Sequence, residues 1–408
     1  MKLGFDKQVA GTRVARSWRW KTAAALMAVA VAMPLWAQQS RVFRDGNSWV
    51  EEITGILPAS HDFRINTDVG SVQMQGNSPH ISYVIRKRCF ALNEEAARRQ
   101  FEQMRITTGR NAETDFIEGR LLNKNLSRFS TDFIVQVPRD LGVVKVDTRS
   151  GTLNLSSITA TIFGSTGGGA VKLDDLGGPV KVFTAGGAVE GGNLASDFTL
   201  NSGGGDVHIN KIGGFSRVTI GGGKVYLGAT KGSIIQTGAG GVEVRKCDGD
   251  LRVSTEGGSL NFGDVAGSVH GDTGGGSVRL ASAQGRVQIT TGGGSVELYN
   301  LSQGAQVETG AGSILVEFLS GKGFGDSTLH TAAGDVSVCM PATLPVSVHA
   351  SSDMVTGRGI QSEFPGLHVT SSGEYGPKAM YAEGALNGGG PMLRVRTTMG
   401  QINFRRCH

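Results

Sequence analysis

Residues Thr273–Leu298 read TGGGSVRLASAQGRVQITTGGGSVEL, and the stretch begins to repeat itself after 18 residues. TGGGSVRL at Thr273 returns as TGGGSVEL at Thr291 and as TGAGSILV at Thr309, and related copies stand earlier, STGGGAVKL at Ser165 and NSGGGDVHI at Asn201. Anchoring each copy on the last glycine of its turn gives Gly151, Gly169, Gly187, Gly205, Gly223, Gly240, Gly258, Gly276, Gly294 and Gly312, with spacings of 18 residues and a single 17. Outlying copies sit at Gly70, Gly334 and Gly400. A fixed period of this length marks a stacked repeat, in which each unit buries its apolar face against near-identical neighbours.

Each position relative to the anchor has a role. Two residues on, all thirteen copies are aliphatic, from Val72 and Leu153 to Val336 and Ile402; four residues on, twelve are large and apolar and the exception is Gly191. Apolar residues also alternate before the turn, as in Leu251 and Val253 or Val287 and Ile289. Period-two alternation is the signature of a strand with one buried face. Each unit therefore reads as strand, glycine turn, strand, then a corner near Leu176, Ile212 or Leu301. The expected fold is all-β: a single-stranded parallel β-helix, or β-solenoid, of about 18-residue coils, with a right-handed wind as the expectation.

Three residues before the anchor, eleven of thirteen copies carry Thr, with Ser202 and Ile220 as the others. Thr148, Thr166, Thr184, Thr255, Thr273, Thr291 and Thr309 are expected to form an inward ladder whose hydroxyls satisfy turn backbone groups. Gly169, Gly205, Gly258, Gly276, Gly294 and Gly312 are read as structural turn residues, placed where adjacent coils approach closely. Phosphate-cradling glycine loops need a helix N-terminus or a basic residue after the loop, whereas here another strand follows.

Residues 1–37 have the zones of a secretory signal: Lys2, Lys7, Arg13, Arg16, Arg19 and Lys21, then an apolar run from Thr22 to Trp36 and the small residue Ala37. The run is shorter than the roughly 20 residues of a membrane-spanning helix, so cleavage and export are expected, with no transmembrane segment afterwards. The chain has 40 Lys+Arg against 35 Asp+Glu, and residues 1–37 hold six of those bases and one of the acids, leaving 34 of each. The remainder lacks the basic footprint of a nucleic-acid binder. Residues 38–143 are expected to form an α+β cap with one helix over Ala91–Met104, N-capped by Asn93. Residues 144–350 form the glycine-rich solenoid and 351–408 an irregular loop plus a terminal coil, Met392–Phe404. Cys339 and Cys407 fall in neighbouring terminal coils and are the candidate disulfide; Cys89 and Cys247 are the other two cysteines.

The landmarks NEEAARRQFEQM followed by RITTGR (from Asn93), DFIVQVPRDLGVVKVDTRSGTLNL (from Asp132), QSEFPGL (from Gln361) and GGGPMLRVRTTMGQINFRR (from Gly388) come in this order. In them the chain resembles the exported bacterial family named "putative adhesins", also described as toastrack-like. The resemblance spans most of residues 60–406; it implies a cell-envelope or secreted solenoid and carries no catalytic residues.

No catalytic, cofactor-binding or metal-ligating cluster emerges. The outward position three after the anchor reads Asn154, Lys172, Glu190, His208, Tyr226, Glu243, Asn261, Arg279 and Glu297, a charge-mixed solvated row without adjacent acids. Calcium-binding rolls would repeat Asp after the glycines, and only Asp206 and Asp335 do so. His208, His270, His330, His349 and His368 lack metal-ligand spacing. Trp49, Tyr226 and Tyr299 do not line up as a sugar-stacking platform. The first expectation is a non-enzymatic adhesin, scaffold or partner-binding protein, facing an envelope protein or a polysaccharide and able to self-associate end to end. The alternatives are a polysaccharide-binding or polysaccharide-modifying protein acting through residues 351–391, or an envelope-stress sensing module with a membrane partner.

Overall fold

The computed structural model describes residues 38–407 apart from 59, 123–128, 322, 356–357 and 373–377; the expected signal segment lies outside the described residues. One coil stands for the rest. Thr161–Thr166 runs into the turn at Gly167–Ala170, and Val171–Leu176 leaves it. In the next coil Val180–Thr184 pairs in parallel with the first strand, Ile162 opposite Val180 and Thr166 opposite Thr184. Val189–Leu194 pairs with the second strand, Val171 opposite Val189 and Leu176 opposite Leu194. Each partner is 18 residues away, so the sequence period is the strand register. The strands before the turns form one parallel sheet, here the pre-turn sheet, and those after them the post-turn sheet. Between the two, alternate side chains of both sheets meet in a continuous apolar core, and the chain is a β-solenoid.

The glycines and threonines of the turn form two columns down this body. A Cβ added at Gly169, Gly187, Gly276 or Gly294 would collide with the carbonyl oxygen of the anchor glycine one coil earlier, and the same holds at every anchor from Gly151 to Gly312. That carbonyl is also the acceptor for the threonine column. Thr291 Oγ1 donates to Gly276 O at 3.0 Å and accepts the Gly294 N–H at 3.1 Å. Thr148, Thr166, Thr255, Thr273 and Thr309 make the same bond to Gly70, Gly151, Gly240, Gly258 and Gly294. Thr184 donates within its own turn, to Gly186 O at 2.8 Å. Buried hydroxyls need such partners, and those of Thr148, Thr166, Thr255, Thr273, Thr291 and Thr309 tie their coil to the one before it.

The Gly70 copy, expected within the N-terminal cap, is a full member of the stack, as is the terminal coil at Gly400. The Gly70 coil (Asp62–Thr67 and Ser71–Gly76) pairs in register with the Gly151 coil, although 66 residues separate Gly76 from Val143. Below it lies a further coil, Thr114–Leu121 and Phe129–Val137, parallel to it yet later in sequence. The C-terminal end mirrors this. Met392–Met399 and Ile402–Cys407 stack directly on the Gly334 coil, and the sequence-earlier strands Val346–Met354 and Ile360–Ser362 lie outside them. The segment 351–391, expected as a loop or hairpin insertion, supplies part of the outermost coil and two antiparallel strands, Ala379–Leu386 and His368–Ser372. Fifteen parallel coils result, extending about 65–70 Å at the usual strand spacing.

At the N-terminal end, antiparallel strands cover the open edges. Ile81–Cys89, Ser48–Leu57 and Gln39–Asp45 extend the post-turn sheet, and Met104–Asn111 closes the pre-turn sheet. Such closure hides unpaired backbone groups. The helix is shorter than expected, Glu94–Phe101, because Met104 already begins a strand; Asn93 Oδ1 caps it by accepting the Ala96 N–H at 2.9 Å. Its Ala97 and Phe101 pack with Cys89, Trp49 and Phe129 in a second small core outside the solenoid interior. The helix thus braces the added strands, and the strands close the stack.

Candidate functional site

With the inward positions occupied by packing, the chemistry of the coils lies in the outward rows. On the post-turn face those rows neutralise themselves. Lys172 Nζ stands 3.1 Å from Glu190 and Arg279 Nη1 3.1 Å from Glu297. His208 stacks on Tyr226 at 4.3 Å with an interplanar angle of 10°, its Nε2 3.1 Å from Asn210 Oδ1. Tyr299 donates to Glu297 at 3.2 Å, and burial together with that carboxylate pushes its phenol above the ordinary value. Where outward Gly192 carries no side chain, a hollow of about 590 Å³ opens between Lys172, Asp174, Glu190 and His208.

The pre-turn face differs. The register places Phe116, Arg64, Lys145, Phe163, Lys181, Thr199, Arg217, Ile234 and Arg252 in one row, one per coil. The row continues through His270, Gln288, Gln306, Thr328 and Arg394 to His349. Over fifteen coils it holds six Lys or Arg, two His and no Asp or Glu. Phe163, Phe183 and Phe215 stand on the same face 40%, 43% and 40% exposed, and Lys181 Nζ lies 5.3 Å from the centre of the Phe183 ring. A hollow of about 420 Å³ runs between Phe183, Asn201 and Thr219. A second of the same volume lies further along the face between Arg64, Phe116 and Lys145.

A reading restricted to Trp and Tyr passes over the three phenylalanines. The signal was in the alternation: Phe163 stands between inward Ile162 and Gly164, and Phe183 between inward Val182 and Thr184, so both rings face solvent. Trp49, by contrast, packs against the small helix core and presents no platform.

The remaining candidates are placed as follows. Cys339 and Cys407 meet on adjacent strands as a disulfide, Cα atoms 5.5 Å apart. Cys89 and Cys247 are buried and unpaired, and burial pushes the Cys89 thiol up to about 11. His270 pairs with Asp272 and His349 with Glu383, each at 2.8 Å. Among the described residues no group of three His, Cys, Asp or Glu is placed to hold a metal ion, and no helix is long and apolar enough to cross a membrane.

A search of the curated proteins finds no match. Among solved structures, the chain is similar to a putative cell adhesion protein from Clostridium sporogenes (9% identity, 88% of this chain and 100% of that one, TM-score 0.19). It is also similar to a putative adhesin from Parabacteroides distasonis (11%, 71% and 96%, TM-score 0.25) and to a putative lipid binding protein from the same species (13%, 72% and 97%, TM-score 0.23). The family model described as Toastrack DUF4097 matches residues 91–356, a span that begins in the N-terminal helix segment and runs to the outermost C-terminal coil. The chain belongs to the Toastrack DUF4097 family.

Proposed function

We propose that the protein is an exported, non-enzymatic binding scaffold of the cell envelope, adhesin-like in use, with its outer sheet faces as the contact surface. The observation that carries this reading is the pre-turn face itself: a row of cations at strand spacing, of which Lys181, Arg217 and Arg252 have no ion-pair partner among the described residues, with exposed aromatic rings in and beside it. A surface of that kind is prepared for a long ligand. Rings about 40% exposed still forgo part of the roughly 1.5–3 kcal/mol that full burial of such a side chain yields, and a partner lying on them would recover it. The basic, apolar and small-residue zones of residues 1–37 support export. The test is incubation of the purified protein with isolated cell envelopes and with soluble glycans, followed by sedimentation and an assay for new reducing ends. Saturable binding without cleavage is expected; release of reducing ends, or no binding to any envelope fraction, would overturn the reading.

A further inference from the structure

We propose that the pre-turn face is a track for a linear acidic polysaccharide, an extended chain bearing a carboxylate on alternate sugar rings. The inference deepens the scaffold reading above and rests on it. Lys145, Lys181, Arg217 and Arg252 stand on alternate coils, separated in register by Phe163, Thr199 and Ile234. At about 4.8 Å per strand the cations are therefore about 9.6 Å apart. An extended polysaccharide advances by about one strand spacing per ring, so an acid on every second ring would meet a cation on every second coil.

Charge and chemistry point the same way. Among the described residues Lys181, Arg217 and Arg252 have no ion-pair partner, while the corresponding cations of the opposite face are held by Glu190 and Glu297. Asp197 and Asp250, at the strand entrances of this face, are engaged by backbone N–H groups of the following coil, Phe215 and Ser268, each at 2.8 Å. Phe163 and Phe183 offer flat rings to the apolar faces of sugars. The row beside the cations reads Asp147, Ser165, Phe183, Asn201, Thr219, Gln236 and Ser254; its one acid, Asp147, lies 3.9 Å from Lys145 at the end of the track, and beside the three unpaired cations it offers neutral groups able to exchange hydrogen bonds with hydroxyls. Duplex DNA fits poorly, because it carries one phosphate per roughly 1.7 Å, far denser than this row of cations.

The experiment uses hyaluronan, in which a uronate alternates with a neutral ring, with its carboxyl-reduced form, duplex DNA and anionic lipid vesicles as comparators. The K181Q/R217Q/R252Q variant changes only outward side chains, and unchanged circular dichroism and melting confirm that it folds. Hyaluronan is expected to bind the parent protein more tightly than the reduced polymer or DNA does. The triple variant should bind it about tenfold more weakly, as loss of three exposed ion pairs implies, with a flatter dependence on salt. F163A/F183A should weaken binding and leave the salt dependence as it was. Equal binding by parent and triple variant, or a preference for DNA or vesicles, overturns the proposal. If the triple variant still sediments with envelopes as the parent does, the track is wrong and the scaffold reading stands; if neither sediments, both fail.

Discussion

At the scale of single residues, the turn separates glycines that look alike in sequence. In TGGG at Thr273–Gly276, a Cβ on Gly276 would strike the carbonyl of Gly258, whereas one on Gly275 meets nothing within 4 Å. The middle position already carries alanine at Ala239, Ala311 and Ala333. Gly276→Ala is therefore expected to destabilise the protein by about 2–4 kcal/mol, since backbone must move in two coils, and Gly275→Ala to stay within about 0.5 kcal/mol. Urea unfolding followed by circular dichroism checks the pair, and equal effects would contradict the glycine column. The threonine ladder was legible because a β-branched residue that recurs at one register must share one environment. Which carbonyl each hydroxyl reaches was not legible, for Thr184 and Thr291 occupy the same repeat position and donate to different coils.

Among elements, the added N-terminal strands are held by a charge cluster that no repeat announces. Glu52 is buried and accepts from Arg41 and Arg86, each at 2.9 Å. The Arg86 hydrogen bond holds its carboxyl below the ordinary value; burial opposes that and Arg41 adds to it. A depressed carboxylate stabilises the folded state above its unfolded pKa, near 4.3, and that contribution is lost as pH falls through the folded value. Hydrogen exchange in Ser48–Leu57 and Gln39–Asp45 should therefore accelerate below about pH 4. Glu52→Gln should exchange faster already at neutral pH and change less on acidification; an acid response identical to the parent's would exclude this carboxylate as the cause. The one 17-residue spacing also has a location: between Thr230 and Gly232 only Lys231 remains, where the preceding corner has Gly213 and Gly214. There Ser216 donates to Ser233 at 2.7 Å inside the core, a polar contact in a column otherwise mostly apolar.

For the molecule as a whole, both ends are built out of sequence order, and the C-terminal one is pinned by the Cys339–Cys407 disulfide, which spans 68 residues. In the chain-entropy account a loop of that length is worth roughly 4 kcal/mol. Cys339→Ser should lower the melting temperature and speed proteolysis within residues 346–407, leaving the central coils protected; limited digestion with mass spectrometry reads both, and an unchanged digestion pattern would mean the bond does not hold the end. Sequence by itself determined the fold class, the coil length, the register of the central strands and the inward residues, because stacking imposes identical contacts at a fixed period and the pattern must repeat. Tertiary structure alone decided that the Gly70 coil joins the stack across a long insertion, and that the strands of 114–137 and 346–362 form further coils without the glycine motif. It also decided that cations scattered through the sequence from Arg64 to Arg394 stand in one acid-free row. Those are contacts between distant segments, formed by edge pairing and buried area rather than by local pattern, and the chain reveals them only when folded.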